Sequence, residues 1–140
     1  MSAESLTNSL PYLLAQAHRT LHGELDAALK QEDLPVEHWR VLRALDSGNG
    51  RTMSDLSRIV LMNMSALSKA IDRMTARALV HRKQDIRDQR RVLVYISDFG
   101  LDLLARCESH LSPVQDSLDG RLDRKDTERL NGLLRKLNGQ

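Results

Sequence analysis

Apolar residues recur at alternating spacings of three and four along most of this chain, and that spacing places them on one face of an α-helix. Pro11 fits the first of these helices only within its opening turn. A second helix is predicted to begin near Pro35, and the turn residues DSGNG follow it. The first helix has the apolar stripe Leu10, Leu14, Ala17, Leu21, Leu25 and Ala28, and the second has Val36, Trp39, Leu42 and Leu45.

Two short helices that meet across a tight turn are predicted next. Thr52, with Asp55 three residues later, is close to a capping box, and Asn63 is a suitable N-cap for the segment that follows it. The first of these helices is expected to bury Leu56, Ile59 and Val60. The apolar stripe of the second contains Leu67, Ile71, Met74 and Ala78.

The period of the pattern then changes from helical to alternating. VHRKQD and RVLVYIS are predicted to be paired strands, because their positions divide into two alternating sets, one for each face of a strand. The alternation in the second strand sets Val92, Val94 and Ile96 against Leu93 and Tyr95. Between the strands, DIRDQRR at residues 85–91 places two Asp and three Arg in the loop of a hairpin.

Helical spacing returns at Asp98, and Pro113 predicts a kink or a break in the helix that begins there. Asp123 is expected to cap a last helix. The stripes of these two helices contain Leu101, Leu104, Leu111, Val114 and Leu118, and then Leu130, Leu133, Leu134 and Leu137. The predicted order is helix, helix, helix-turn-helix, hairpin, helix, helix. The fold class is therefore mainly α with a small β-hairpin (α+β), in a single domain over residues 1–140.

Charge distinguishes the middle of the chain from its two ends. Residues 51–100 hold 10 Lys and Arg against 5 Asp and Glu, whereas residues 1–50 hold 4 against 7 and residues 101–140 hold 7 against 7. The middle block therefore carries a net charge of +5 in a protein of net charge +2. A basic segment between acidic and neutral ones predicts a local contact with a polyanion, and an ordinary solvated surface is the alternative.

A helix-turn-helix followed by a basic hairpin is the winged-helix arrangement, in which the second helix enters a major groove of DNA. Arg73 could pair with guanine O6 and N7, while serine hydroxyls and a lysine could bind phosphates or base edges. The alternative for each residue is a solvated helix face. The exposed face predicted for this helix offers Ser65, Ser68, Lys69, Asp72 and Arg73.

The segments TMSDLSRIVLMNMSALSKAIDRMTARALVHR and DIRDQRRVLVYISDFG resemble the MarR (multiple antibiotic resistance regulator) family of winged-helix transcription regulators, and the resemblance covers nearly the whole chain. The sequence departs from the family at Leu61 and Ala78, where relatives often have glycine. These departures put the geometry of two turns in question. The family's wing signature is matched by Asp85, Arg87, Asp88, Arg90, Ser97 and Gly100.

The resemblance implies a homodimer that binds a palindromic site on double-stranded DNA. The winged helix would span about 35–98, with dimerisation helices at about 5–31 and 98–138. Arg87 would enter the minor groove, while Asp85 or Asp88 pairs with Arg90 or Arg91 to keep the wing rigid. The whole set of residues expected to contact DNA is Asn63, Ser65, Ser68, Lys69, Arg73 and Arg87.

Regulation by a ligand is also implied only by the resemblance. Relatives often bind phenolic or other aromatic anions between the dimer helices and the winged helix, and such a ligand would release a repressor from DNA. His22, Trp39 and Arg43 could line that cleft, although Trp39 also suits a core position.

The histidine and cysteine residues suggest a second possibility, which is metal binding. His18 and His22 lie four apart, and Cys107 and His110 lie three apart, spacings that could each chelate zinc. Neither pair carries a recognised motif, so we predict no metal or cofactor, and we expect Cys107 to be a buried structural thiol.

Enzymatic function is not expected, because the sequence contains no Gly-rich phosphate loop, HExxH, cysteine cluster or GxSxG. It also lacks a run of 18 apolar residues, and its first residues do not resemble a signal peptide, so we expect a cytoplasmic protein without membrane contact. The alternative to a DNA-binding regulator is a winged-helix dimer that acts as a protein-interaction or enzyme-accessory module.

Overall fold

The computed structural model describes residues 3–140. Within this range the chain forms seven α-helices, three β-strands and one 3₁₀ turn at Lys30–Glu32. The helices are α1 (Ala3–Thr7), α2 (Leu10–Leu29), α3 (Val36–Ser47), α4 (Met53–Val60), α5 (Met64–Ala76), α6 (Asp98–Arg121) and α7 (Arg124–Leu137). The strands are β1 (Arg51–Thr52), β2 (Val80–Gln84) and β3 (Val92–Ile96). The predicted mainly α fold with a β-hairpin is confirmed.

The sheet contains one strand more than the sequence predicted. Its order is β1-β3-β2 and both pairings are antiparallel, with Val80 opposite Ile96 and Arg51 opposite Val94. The hairpin of β2 and β3 was predicted from its alternation. A strand of two residues such as β1 is too short to show any period, so its pairing had no signal in the sequence.

The hydrophobic core lies where α3, α4, α5 and the sheet meet the first half of α6. Residues at helical spacing supply it from each helix, and Val94 and Ile96 supply it from β3. Its fully buried members include Leu42, Leu45, Leu56, Leu67, Ile71, Met74, Leu79 and Val94. This core holds the helix-turn-helix and the hairpin as one body, which fixes where their outer faces point.

Three of the helix caps predicted from sequence are present. The side-chain oxygens of Thr52, Asn63 and Asp123 accept hydrogen bonds from main-chain N–H groups three residues later, at 3.1, 2.8 and 2.8 Å. These bonds satisfy N–H groups that have no partner within the helix. The tight turn of the helix-turn-helix therefore lies between Val60 and Met64, as the pattern indicated.

Several apolar positions are less buried than their stripes predicted. Ile59 is 43% exposed because Leu56 and Val60, one turn apart, already face the core from the eight residues of α4. Leu10 and Leu101, on the stripes of terminal helices expected to pack against a second subunit, are 55% and 39% exposed within this chain. Ala78 lies beyond the end of α5 and is exposed, so its assignment to that helix's stripe was wrong.

Helix boundaries near the ends of the chain also differ from the prediction. α6 runs through Pro113 and ends only at Arg121, so a break at this proline was the wrong alternative. The long first helix is α2, which begins at Leu10 with Pro11 in its opening turn as the pattern predicted, and the short helix α1 precedes it.

Leu61 and Ala78 both adopt a left-handed backbone conformation, with φ of 60°. They follow α4 and α5, where a left-handed residue commonly ends a helix and glycine is favoured. A side chain in this region costs about 1–2 kcal/mol. The turns therefore keep the geometry of a glycine turn although the glycines themselves are absent.

The terminal helices leave apolar surface uncovered within the described chain. All residues of α7 are at least partly exposed, although its leucines form one face. Leu13 of α2 and Leu130 of α7 line one groove with Leu118 and Leu122. The exposed leucines of these helices are Leu6, Leu10, Leu13, Leu101, Leu130, Leu133 and Leu137.

Residues 3–140 contain no helix that is both long enough and apolar enough to cross a membrane.

Candidate nucleic-acid interface

The outer face of α5 consists of polar and basic side chains. The helix buries Leu67, Ala70, Ile71 and Met74, which turns the residues between them to solvent. We call the exposed set Ser65, Ser68, Lys69 and Arg73 the recognition face. It coincides with four of the DNA-contacting residues expected from the sequence. Asn63 lies at the start of the helix, where its side-chain oxygen is already used as the N-cap.

Asp72 was also expected on this face, but the structure gives it a partner within the protein. Its Oδ1 lies 2.6 Å from Nη2 of Arg82 on β2. Arg82 pairs with buried Val94 across the sheet, so its side chain leaves the sheet on the side where α5 packs. Sequence reasoning missed Arg82, because this pairing depends on the register between β2 and β3.

The loop of the hairpin, residues 85–91, is organised by its two aspartates. Oδ1 of Asp85 accepts a hydrogen bond from the Arg87 main-chain N–H at 2.9 Å. Oδ1 of Asp88 accepts one from the Arg90 main-chain N–H at 3.1 Å and lies 3.2 Å from Arg90 Nε. Each Asp therefore closes a turn over the Arg two residues later, which explains the repeated Asp-x-Arg spacing.

These contacts decide between the pairings that were left open. Asp88 pairs with Arg90, whereas Asp85 binds a main-chain N–H and has no guanidinium partner among residues 3–140. Arg91 contributes through its backbone: its N–H donates to Asp88 O and its carbonyl accepts from Asp85 N–H, both at 2.9 Å. The side chain of Arg87 is exposed at the end of this ordered loop.

Ser97 and Gly100 belong to the same signature but have structural roles. Ser97 Oγ donates to the carbonyl of Ala78 at 2.6 Å and accepts the N–H of Gly100 at 2.9 Å. A Cβ on Gly100 would lie 2.3 Å from the Leu79 carbonyl oxygen, so only glycine fits there. The hydrogen bonds of Ser97 and the close approach at Gly100 hold the start of α6 against the segment that joins α5 to β2.

A cleft of about 310 Å³ lies between α2, α3 and α6. Trp39 and Arg43 line it, as expected from the sequence, and Trp39 also packs against the core. Glu108 of α6 faces the same space. His22 was expected here but is not part of the lining: it lies beside Glu37, at 4.0 Å, and next to the ring of His18. The apolar lining residues are Leu25, Leu104, Leu111 and Val114.

The residues considered as metal ligands make contacts with other parts of the protein. Cys107 is fully buried in the core, and this burial, together with the nearby charge of Glu32, raises the pKa of its thiol. His110 Nε2 lies 3.3 Å from Glu32. In the described part of the chain, no three residues among His, Cys, Asp and Glu are grouped to hold a metal ion.

Residues 32–91, which contain the helix-turn-helix, β2 and the loop of the hairpin, match the model of the MarR family. The chain is also 30% identical over 124 residues to the HTH-type transcriptional repressor IacR of Pseudomonas putida, an alignment that covers 88% of this chain and 74% of that protein. The chain belongs to the MarR family. The recognition face is therefore carried by the recognition helix of a MarR-family transcription regulator, and the hairpin is its wing.

Solved MarR-family structures share the fold over nearly the full length of the chain. A mutant MarR from Escherichia coli in complex with operator DNA superposes with a TM-score of 0.89 at 20% identity, covering 98% of this chain and 99% of that one. BpsR of Bordetella bronchiseptica, whose DNA binding is regulated by 6-hydroxynicotinic acid, superposes with a TM-score of 0.87 at 22% identity and 96% coverage of both chains.

Proposed function

We propose that this MarR-family protein is a homodimeric repressor that binds a palindromic operator and is released from it by an aromatic acid. The observation that carries the proposal is the wing, where two aspartates organise the loop that presents Arg87. A disordered basic loop would attract DNA of any sequence. An ordered loop with one projecting guanidinium suits insertion into a narrow, strongly negative minor groove.

The recognition face supplies the second DNA contact. Arg73 and Lys69 are exposed on the outer side of α5, while the helix is held from behind by its buried residues. An arginine that binds guanine O6 and N7 distinguishes one base pair from the others, whereas serine and lysine contacts to phosphate set the register.

The terminal helices support a dimer. Burial of an apolar helix face is the main source of stability for such a helix, yet the leucine face of α7 stays exposed within one chain. A second copy related by a two-fold axis would cover this face and the groove beside it. It would also present two recognition helices to two half-sites about 10 bp apart.

The DNA proposal is tested by selecting duplexes from a random pool with the wild-type protein and measuring affinity for them by fluorescence anisotropy. Arg73→Ala should lose about 1–3 kcal/mol on the selected site and relax preference at one base pair in each half-site. An equal loss on random duplexes would make Arg73 a phosphate contact. If the wild-type protein selects no sequence, the protein-interaction module becomes the better account.

The cleft supports the regulatory part of the proposal. It combines the indole of Trp39, the guanidinium of Arg43, the carboxylate of Glu108 and apolar side chains. This lining suits an aromatic ring with a carboxylate that pairs with Arg43 and a hydroxyl that donates to Glu108. Trp39 is the only tryptophan of the sequence, so its fluorescence reports on the cleft directly. We expect hydroxylated aromatic acids, with 6-hydroxynicotinic acid as the first probe, to quench Trp39 and weaken operator binding at the same concentrations. Arg43→Gln should reduce both effects together.

A further inference from the structure

The turn between α2 and α3 joins the terminal helices to the winged helix. It consists of the 3₁₀ turn followed by Asp33, whose backbone is left-handed with φ of 50°. Asp33 N–H donates to Lys30 O at 3.0 Å and Leu34 N–H donates to Leu29 O at 3.2 Å, so the turn is closed by its own backbone. Its carbonyl groups at Glu32 and Asp33 remain available to a donor from another element.

Arg77, directly after the recognition helix, supplies that donor. Its Nη1 donates to Asp33 O at 2.7 Å, and its Nη2 lies 3.5 Å from Glu32 O, at the outer limit of a hydrogen bond. The partners are 44 and 45 residues away in sequence. The C-terminal end of the recognition helix is thereby tied to the turn.

Glu32 ties the same turn to α6. Its Oε2 lies 3.4 Å from Arg106 Nε and its Oε1 lies 3.3 Å from His110 Nε2. Arg106 and His110 are one turn apart on α6, so both reach the same carboxylate. Only 21% of the Glu32 side chain is exposed, which reduces screening of these contacts by solvent.

We propose that Arg77 is a positioning residue that sets the angle between the recognition helix and the terminal helices, and so selects the spacing of the two half-sites. This inference rests on the proposed function, since half-site spacing has meaning only for a dimer on DNA. The guanidinium of Arg77 is occupied by the Glu32 and Asp33 carbonyls, so its effect reaches DNA through the orientation of α5. Glu32, with Arg106 and His110, extends the same restraint to α6.

The spacing between half-sites that the dimer tolerates distinguishes a positioning role of Arg77 from a direct contact with DNA. A half-site engages one subunit, and its affinity depends on the contacts of that subunit's recognition helix and wing. A palindrome engages both subunits. Binding of the second subunit adds affinity only when the two recognition helices are held at a distance that matches the spacing of the half-sites. A loosened angle therefore weakens binding to the palindrome and broadens the range of tolerated spacings, while binding to the half-site is retained.

The test compares wild type, Arg77→Ala and Glu32→Gln on the selected palindrome, on its half-site, and on the palindrome with one or two base pairs inserted at its centre. Arg77→Ala should lose about tenfold on the palindrome and less than about twofold on the half-site, because only the gain from simultaneous binding is reduced. Its preference for the original spacing should fall. Glu32→Gln keeps the main-chain carbonyl that Arg77 approaches and should change spacing preference in the same direction by a smaller factor.

Arg124→Ala is the matched control for loss of one surface arginine, because Arg124 is 92% exposed on α7 and forms an ion pair with Glu128, four residues along. It should bind all the duplexes as wild type does. Equal losses by Arg77→Ala on palindrome and half-site, with a shallower salt dependence, would make Arg77 a phosphate contact and overturn the inference. Unchanged spacing preference would overturn it too. A wild-type protein that selects no DNA would overturn the proposed function first.

The distance between the two wings can also be measured without DNA, so that this result does not depend on how Arg77→Ala alters DNA contacts. Spin labels on Gln89→Cys at the wing, in a Cys107→Ala background, report the distance between the two wings of a dimer by double electron–electron resonance. We expect a broader distance distribution in Arg77→Ala than in the labelled parent, at an equal fraction of folded protein. Identical distributions would contradict the positioning role, and Arg77→Lys, which cannot reach both carbonyls as a fork, should lie between the two.

Discussion

Arg82 on the wing and Asp72 on the recognition helix form an ion pair with an Nη2–Oδ1 distance of 2.6 Å. Both elements are expected to contact the same DNA duplex, one in each groove. The pair connects them directly, outside the hydrophobic core that they share. It also gives the acidic side chain of Asp72 a partner in a region that must approach phosphates.

This pair predicts coupling between the two DNA-contacting elements. Arg82→Gln and Asp72→Asn should each weaken operator binding, and the double variant should lose less than the sum of the two losses. Thermal stability should change little, since partly exposed ion pairs contribute below about 1 kcal/mol. The Arg58→Gln and Asp55→Asn cycle on α4 is the control for a surface pair, and its effects should be additive. Additivity at Arg82 and Asp72 would mean that the pair does not position the wing.

The leucine face of α7 predicts the oligomeric state. Leu133 is 55% exposed in one chain, so Leu133→Asp should cost little within a monomer but should disrupt a dimer that buries this face. Analytical ultracentrifugation at low micromolar concentration should show monomer or aggregate for Leu133→Asp and for a chain that ends at Gly120. Arg135→Gln, on the opposite side of α7, should remain dimeric. A dimer of Leu133→Asp would place the interface elsewhere.

The left-handed residues at the ends of α4 and α5 predict two stabilising substitutions. Leu61→Gly and Ala78→Gly remove the cost of a side chain at φ of 60°, partly offset by the greater freedom of glycine in the unfolded chain. Each should raise the free energy of unfolding by about 0.5–1 kcal/mol. Urea denaturation measures this. Ala105→Gly, in the middle of α6, should do the opposite, and a loss at Leu61 or Ala78 would show that the turns are unstrained.

His38 predicts a dependence of stability on pH. Burial first, and then the charge of Arg77, lower the pKa of its imidazole, whose Nδ1 is buried without a hydrogen-bond partner in the described structure. The stability it contributes is present above the ordinary histidine pKa of about 6.5 and is lost as pH falls below it, because only the unfolded chain then binds the proton readily.

The free energy of unfolding should therefore fall as the pH drops below about 6.5, and His38→Gln should reduce that fall. His81→Gln, at an exposed site on β2, is the control. In Arg77→Ala the pKa of His38, followed by NMR, should rise and yet stay below its ordinary value, since burial is the larger cause. A histidine that titrates at or above the ordinary value would contradict its buried environment.

Local signals predicted most of the fold. Caps at Thr52, Asn63 and Asp123 depend on residues three positions apart, and the hairpin depends on alternation within two short segments, so both are readable from sequence. Burial of Ile59 was predicted wrongly because a stripe does not show which side of a short helix meets the core. Helix α6 continues through Pro113, and a local sequence pattern does not show when a long helix tolerates a proline.

The candidate site was predictable where its chemistry is local and was missed where it is not. The Asp-x-Arg repeat of the wing and the outer face of α5 are contiguous in sequence. Arg82 and Asp72, or Arg77 and Asp33, meet only through strand register and helix packing. His22 was placed in the cleft from its position on α2, but the rotation of that helix directs it toward Glu37 instead.

The most direct measurement of the central claim is operator affinity of Arg87→Ala relative to wild type, by fluorescence anisotropy at physiological salt with both proteins verified as folded dimers. We predict a large loss of specific affinity with an unchanged melting temperature, because an exposed loop arginine contributes little to folding. Arg87→Lys should recover only part of the loss, since an ammonium is more strongly hydrated than a guanidinium. Wild-type affinity of Arg87→Ala for the operator would contradict insertion of the wing into DNA.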